Sequence, residues 1–205
     1  MINEAEIRQS QANVNLNDER KISGYAIRFN EYSEIMTAKN GEQFKEIILP
    51  SAVDEDLIKR SDIFALLNHK QEEVLARCKF GKGNLHLTID DKGLKYEFEA
   101  FDDDISKRVL NFVKYGLIDS SSFSFSIDQN DKEAQTWKKG DDGIWIRTIK
   151  KIDKLYDVSP VYNPAYATTT CNCRALDIEM ERIANRITKK LDEILEKAKF
   201  SRTNK

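Results

Sequence analysis

Serine stands at every second position from residue 120 to residue 126, and such a pattern can present hydroxyl groups along one face of a strand. Alternate residues of a strand point to opposite faces. Ser120, Ser122, Ser124 and Ser126 therefore share one face, while Phe123, Phe125 and Ile127 share the other, which is expected to be core. A face of small hydroxyl residues either leaves room for a substrate or is a solvated outer surface, and composition alone leaves both interpretations open.

A serine hydroxyl needs a neighbouring base before it can act as a nucleophile, and histidine suits that task at neutral pH. The chain has two histidines. His86 lies in the alternating stretch 84–89 and is predicted to be an ordinary polar strand residue. His69 follows the apolar run 63–67, where a strand passes into a loop, a position from which active-site groups are commonly presented. A surface histidine without a catalytic role is the alternative.

Composition excludes several other functions. The 205 residues carry a net charge of −2, and acidic and basic residues are interspersed. The chain therefore has no overall electrostatic field that would attract nucleic acid or anionic lipid. Apolar runs stay well short of the ~20 residues of a membrane span. The N-terminus lacks the basic start and apolar stretch of a signal peptide. We therefore expect a cytosolic protein without nucleic acid, membrane or cofactor among its partners.

Cys78, Cys171 and Cys173 are too few for a disulfide framework, and their odd number favours free thiols in a reducing compartment. Cys171 and Cys173 could be half of a zinc site. The two histidines do not lie at zinc-finger spacing from them. No metal site is predicted.

The pattern of apolar residues divides the chain into three regions. Residues 1–19 are polar and without period, and are predicted to be a mobile arm. Residues 20–174 alternate in short runs typical of half-buried strands, predicted at 22–29, 44–49, 63–67, 73–80, 84–89, 94–101, 118–127 and 143–156. Glycine-containing turns at 81–83 and 90–93 suit hairpins. Such close spacing favours an antiparallel, barrel-like sheet.

Helices are predicted at 53–59, at 105–115 and in the third region, 175–205. The 105–115 helix begins after three aspartates and ends at Gly116. From 175 to about 200, apolar residues recur every three or four positions and form a narrow stripe, which comprises Leu176, Met180, Ile183, Ile187, Leu191, Ile194 and Ala198. This helix either docks on its own domain or binds a partner, including a second copy of itself.

Five segments occur in the order seen in caudovirus (tailed-phage) prohead proteases, and the chain resembles that family over about residues 20–174. They are Gly24-Tyr25-Ala26-Ile27-Arg28-Phe29, Glu46-Ile47-Ile48-Leu49-Pro50-Ser51-Ala52, Asn68-His69 after a hydrophobic strand, the glycine-initiated stretch 116–125, and Leu155-Tyr156-Asp157-Val158-Ser159-Pro160-Val161-Tyr162-Asn163-Pro164-Ala165-Tyr166. Each segment is weak evidence alone. Five in order make the resemblance specific.

The resemblance implies a compact β-barrel with flanking helices, similar to the herpesvirus maturational protease. It also implies that Ser122 is the nucleophile, His69 the general base and Asp157 the orienting acid. Asp157 stands where the family usually has glutamate, and Ser124 where it often has glycine. Ser120 and Ser124, on the face of Ser122, are the predicted substrate-binding residues.

The implied activity is that of a serine endopeptidase acting in the host cytoplasm, inside the assembling prohead. Its implied substrates are the capsid precursor or scaffold segments and the protease itself, with the C-terminal helix as a contact to scaffold or to another copy. The alternative is a catalytically silent capsid-assembly or capsid-binding module. An esterase is disfavoured because the Gly-x-Ser-x-Gly elbow is missing from the sequence.

Overall fold

The computed structural model describes residues 5–10, 14–16, 20–38, 40–162, 170–171 and 181–194. Its strands are β1 (Glu6–Ser10), β2 (Asn15–Leu16), β3 (Lys21–Arg28), β4 (Met36–Ala38), β5 (Gln43–Ile48), β6 (Asp62–Leu66), β7 (Val74–Lys79), β8 (Lys82–Gly83), β9 (Leu85–Ile89), β10 (Gly93–Glu99), β11 (Ile118–Ser126), β12 (Gln135–Lys139), β13 (Trp145–Ile149), β14 (Lys154–Tyr162) and β15 (Thr170–Cys171). The helices are α1 (Glu55–Arg60), α2 (Asp104–Lys114) and α3, in which residues 181–194 are helical, with a 3₁₀ turn at Pro50–Ala52. In the described part of the chain, no helix is long and apolar enough to span a membrane.

The strands form three sheets, which confirms the predicted β-rich fold. The sheet orders are β1-β11-β14-β6-β7-β8, β2-β3-β10-β9 and β12-β13-β5-β4-β15. Closure into a barrel requires hydrogen bonding to continue around the whole sheet, and the described strands instead form separate sheets without a closed barrel. Three pairs are parallel (β5 with β13, β6 with β14, β4 with β15), which the antiparallel prediction did not include. The likeness to the herpesvirus protease stays a prediction.

Local turn chemistry predicted the β9–β10 hairpin correctly, because its turn lies in the glycine-containing stretch 90–93. The predicted turn 81–83 is in part strand: Lys82–Gly83 form β8, which pairs with β7, while β9 pairs with β10 in another sheet. One long strand prediction was wrong. The predicted strand 143–156 is divided into β13 and β14. Between them, the N–H groups of Lys150 and Lys151 donate to Ala134 O, and that of Ile152 donates to Ala52 O. The chain thereby leaves one sheet and enters another, which alternation of residue types does not reveal.

One large core cluster draws residues from all three sheets and includes Phe123, Phe125 and Ile127, as predicted. A smaller cluster in the five-stranded sheet contains Ala38, Phe44 and Trp145.

The predicted C-terminal helix is described only over residues 181–194, and the rest of its predicted span lies outside the described residues. Ile183 packs against the smaller core cluster. Ile187, Leu191 and Ile194 are exposed. The helix therefore contacts its own domain at one residue of the stripe and leaves the next three open.

The predicted mobile arm, residues 1–19, contains two strands in the structure. β1 pairs antiparallel with β11, and β2 pairs with β3. β1 has only one apolar side chain, Ile7, which is half exposed. Its position depends on backbone pairing and on ion pairs with distant residues, so no hydrophobic pattern could indicate it. The division of the chain at residues 20 and 175 stays a prediction.

Candidate active site

Ser122 lies in the middle of β11, between two antiparallel neighbours. Its Cα partners are Gln9 of β1 on one side and Ser159 of β14 on the other. The residue is fully buried, with 0% of its surface exposed. A hydroxyl at this position is held by two strands and is shielded from bulk water.

The preceding residue anchors β11 to the sheet below. The hydroxyls of Ser121 and Tyr96 are hydrogen bonded at 2.9 Å, and both side chains are buried. Gly24 of β3 permits this contact, because a Cβ there would come within 2.8 Å of each of the two hydroxyl oxygens. Burial raises the pKa of Tyr96, so its hydroxyl stays neutral.

His69 is presented by a turn directly after β6. Asn68 and His69 both have positive φ angles, 57° and 61°, which non-glycine residues seldom adopt. The Asn68 N–H donates to Pro160 O at 3.2 Å, which ties the turn to β14. Two consecutive left-handed residues reverse the chain tightly and direct the imidazole back over the sheet. Such backbone strain concentrates at functional sites.

Asp157 lies on β14 and is 6% exposed. It is the Cα partner of Ser124 on β11 and of Phe64 on β6. The β11–β14 register therefore brings Asp157 within two residues of Ser122 along the sheet. The parallel pairing with β6 brings it close to the turn that carries His69.

The three predicted catalytic residues meet in space. Asp157 Oδ1 lies 2.6 Å from His69 Nδ1, and Ser122 Oγ lies 2.5 Å from His69 Nε2. A carboxylate at Nδ1 favours the tautomer with its proton there, which leaves Nε2 as the acceptor. In that tautomer the imidazole can take the serine proton, and Asp157 stabilises the resulting positive charge.

Ser159 is part of the site, although the sequence did not indicate a role for it. Its hydroxyl donates to Asp157 Oδ1 at 2.6 Å, the same oxygen that faces His69, and the residue is fully buried. The available signal was the spacing, because residues two apart in a strand share a face. Ser159 holds the carboxylate in the orientation that meets the imidazole.

The other serines of β11 are not on a solvated surface. Ser124 and Ser126 are buried, and their Cα partners on β14 are Asp157 and Lys154. Ser120 is partly exposed and donates to Asp119 at 2.8 Å. The solvated-face interpretation is thus wrong for this strand.

His86 is exposed on β9 and is the Cα partner of Glu97, away from this constellation. The zinc interpretation concerned Cys171, of which only the backbone is described, and Cys173, which lies outside the described residues.

A second acceptor also faces the Ser122 hydroxyl. The backbone carbonyl of Arg8, on β1, accepts a hydrogen bond from Ser122 Oγ at 2.7 Å. The hydroxyl has one proton to donate, so Arg8 O and His69 Nε2 compete for it. β1 is thus in direct contact with the candidate nucleophile.

A buried cluster of four charged residues fixes β1 to the five-stranded sheet. Arg8 binds Glu46 of β5 with two hydrogen bonds of 2.8 and 3.1 Å. Glu6 accepts two hydrogen bonds from Arg147 of β13, at 2.5 and 2.8 Å, and one hydrogen bond from Arg8 at 2.6 Å. Arg147 also donates to Glu46 at 2.9 Å and is fully buried. We call these four residues the ionic cluster.

Glu6 is the member of the ionic cluster whose carboxyl is held charged at neutral pH. Burial raises the pKa of Glu6, but the opposing attraction of Arg147 and Arg8 is larger in sum and lowers that pKa from 4.5 to about 2. Because this pKa is lowered, the stability it contributes is present above pH 4.5 and is lost as the pH falls towards 2.

A buried serine that faces an imidazole, with a carboxylate behind the imidazole, is the arrangement found in serine hydrolases. The chain belongs to the family described as caudovirus prohead serine protease, whose model matches residues 4–183. This family consists of serine proteases of phage capsid maturation. The matched range is wider than the 20–174 of the sequence resemblance and includes β1.

Among solved structures, the bacteriophage T4 capsid assembly protease gp21 is similar to this chain. The TM-score is 0.49 at 10% identity, and the likeness covers 80% of this chain and 100% of that chain. No curated protein matches the sequence.

Proposed function

We propose that this chain is a serine endopeptidase of phage prohead maturation, with Ser122 as nucleophile, His69 as general base and Asp157 as orienting acid. The observation that carries the proposal is the pair of hydrogen bonds at His69, with Asp157 on one ring nitrogen and Ser122 on the other. Ser122 lies on β11, Asp157 on β14 and His69 in the turn after β6. A serine, an imidazole and a carboxylate that meet in this way can activate the serine as a nucleophile.

The mechanism is acyl transfer. His69 Nε2 accepts the proton of Ser122, and the serine oxygen attacks the carbonyl carbon of a peptide bond. The protonated imidazole then gives that proton to the departing amine, leaving an acyl-enzyme. Water, deprotonated by the same imidazole, releases the acyl group and restores Ser122. Asp157 keeps the ring oriented and stabilises its charged form during both steps.

The substrates are capsid precursor or scaffold segments and this chain itself, within the assembling prohead in the host cytoplasm. Family membership supports this choice. Ser120 and Ser124 are the proposed substrate-binding residues, since they are next-but-one neighbours of Ser122 on β11. The exposed stripe of α3 is the proposed contact to a scaffold helix or to a second copy.

A serine-directed fluorophosphonate tests the nucleophile. We expect the unaltered chain to be labelled at Ser122, and Ser122→Ala and His69→Ala to remain unlabelled. Asp157→Asn should lower the labelling rate by about 10³–10⁴, because an amide does not hold the correct tautomer. His86→Ala is the matched control and should be labelled normally.

Co-expression with the capsid precursor tests the substrate. Mass spectrometry should find cleaved precursor, and a shortened form of this chain, with the unaltered protein but not with Ser122→Ala. If neither labelling nor cleavage occurs with the unaltered chain or with a Glu6→Ala/Arg8→Ala variant, which frees β1 from its ion pairs, the protein is the silent assembly module instead. Labelling without cleavage of the precursor would keep the nucleophile and reject the substrate.

A further inference from the structure

The position that a substrate must occupy is already filled in this structure. A peptide carbonyl has to come within ~3–3.5 Å of the nucleophile before attack. Arg8 O lies 2.7 Å from Ser122 Oγ, and Ser122 has no exposed surface. A substrate therefore reaches Ser122 only if β1 leaves.

β1 lies on β11 in the manner of an added substrate strand. It is the edge strand of the six-stranded sheet and pairs with β11 from Glu6 opposite Phe125 to Ser10 opposite Ser121. Without β1, the edge of β11 beside Ser122 would offer unpaired N–H and C=O groups to an extended polypeptide. The same edge would then bind either β1 or a substrate.

β1 occupies this edge in an orientation that does not react. A productive substrate presents its carbonyl carbon to the serine and directs its oxygen to N–H donors. Here the carbonyl oxygen of Arg8 instead accepts a hydrogen bond from the Ser122 hydroxyl. The contact blocks the nucleophile and competes with His69 for its proton, so β1 acts as an inhibitor rather than as a substrate.

The charges of the ionic cluster allow β1 to detach. β1 contributes one acid and one base, Glu6 and Arg8, while the five-stranded sheet contributes one of each, Glu46 and Arg147. When β1 leaves, Glu46 and Arg147 still form an ion pair at 2.9 Å, so no single charge is stranded in the interior. The position that β1 leaves would therefore suit another strand that has an acidic and a basic residue two positions apart.

We propose that the edge of β11 beside Ser122 is the substrate site, that it takes extended polypeptide carrying an acid and a base two residues apart, and that β1 is its built-in occupant. The enzyme is then closed until β1 is displaced. This inference rests on the proposed function, since it presumes that Ser122 is the nucleophile.

The test measures the rate of fluorophosphonate labelling at Ser122 in the full chain. In Glu6→Ala/Arg8→Ala, the ion pair of Glu46 with Arg147 stays intact, while β1 loses several charge-assisted hydrogen bonds. Because β1 is then held less tightly, labelling should be at least about tenfold faster than in the unaltered chain. The control, Arg28→Ala/Glu31→Ala, removes a pair of the same charges at the end of β3, where Arg28 and Glu31 bond at 2.7 Å. Its rate should not change.

A peptide of residues 1–12 tests whether the vacated edge binds a strand of this pattern. Added to Glu6→Ala/Arg8→Ala, it should slow labelling back towards the original rate, whereas the same peptide with Arg8→Glu should not. Should the double variant fail to fold, Glu6→Gln keeps the side-chain volume and should give an intermediate rate.

The outcomes separate this inference from the proposed function. Equal labelling of the unaltered chain and both double variants, all dependent on His69, would overturn the inference and leave the nucleophile in place. A faster double variant that the peptide does not slow would overturn the substrate pattern. Absence of labelling in every variant would remove the proposed function, and the inference with it.

Discussion

Asp157 is one methylene shorter than the glutamate that the family resemblance suggests, and the backbone compensates for this difference. The turn at Asn68 and His69 carries the ring towards β14, and its tie to Pro160 O fixes that position. The carboxylate still reaches Nδ1 at 2.6 Å. The Ser159 hydroxyl gives this carboxylate a second hydrogen bond that helps to set its direction.

Removal of the Ser159 hydroxyl should therefore slow the proposed reaction without unfolding the protein. A net contribution of ~1 kcal/mol per hydrogen bond corresponds to about a fivefold lower labelling rate at Ser122 in Ser159→Ala. Ser159→Thr keeps the hydroxyl and should recover most of the rate. If both variants lose rate in proportion to their melting temperatures, Ser159 has only a structural role.

Ion pairs, rather than apolar burial, determine where β1 lies. Arg147 is the central member of the ionic cluster, since it binds Glu6 and Glu46 and also donates to Gln135 at 2.7 Å. Its side chain is fully buried. The carboxylates of Glu6 and Glu46 lie close together in the interior, and the fold tolerates them only while both arginines balance their charge.

Arg147→Ala should accordingly destabilise the protein by about 3–5 kcal/mol, because Glu6 and Glu46 would then share Arg8 alone. Urea unfolding followed by circular dichroism measures this. Glu6→Ala/Arg8→Ala should cost clearly less, since it removes one charge of each sign. If both variants lose the same free energy of unfolding, the ionic cluster does not consist of two separable neutral pairs.

At the scale of the whole molecule, α3 presents an apolar stripe that the rest of the described chain does not cover. Ile187, Leu191 and Ile194 are 54–62% exposed, although Ile183 packs on the smaller core cluster. Exposed apolar residues at spacings of four and three are typical of helices that pair with another helix. The domain thus anchors one end of the helix and leaves the following turns available.

We expect the full chain to sediment as an oligomer and Ile187→Glu/Leu191→Glu to sediment as a monomer. Charged residues at these positions would have to be buried between the helices. Asn185→Glu/Lys189→Gln changes the net charge by the same amount on the opposite face and should leave the mass unchanged. A monomeric unaltered chain would restrict the stripe to contacts with scaffold helices.

Local patterns in the sequence were sufficient for the β9–β10 hairpin, for α2 and for the central strand of the site. Turn residues and alternation depend on near neighbours, so they can be recognised without a fold. Alternation also placed Phe123 and Phe125 in the core and Ser122 on the opposite face of β11. The choice of His69 and Asp157 required the family resemblance, because 35 acids offer no local reason to select one.

The sequence alone thus determines the residue types for the chemistry and the strands that carry them. Only the tertiary structure decided that β6, β11 and β14 adjoin, that Ser159 supports Asp157, and that β1 covers Ser122. The pairing of β6 with β14 joins residues 93 positions apart, and the contact of Arg8 with Ser122 spans 114. Long-range pairing and buried ion pairs depend on partners that no short stretch of sequence contains.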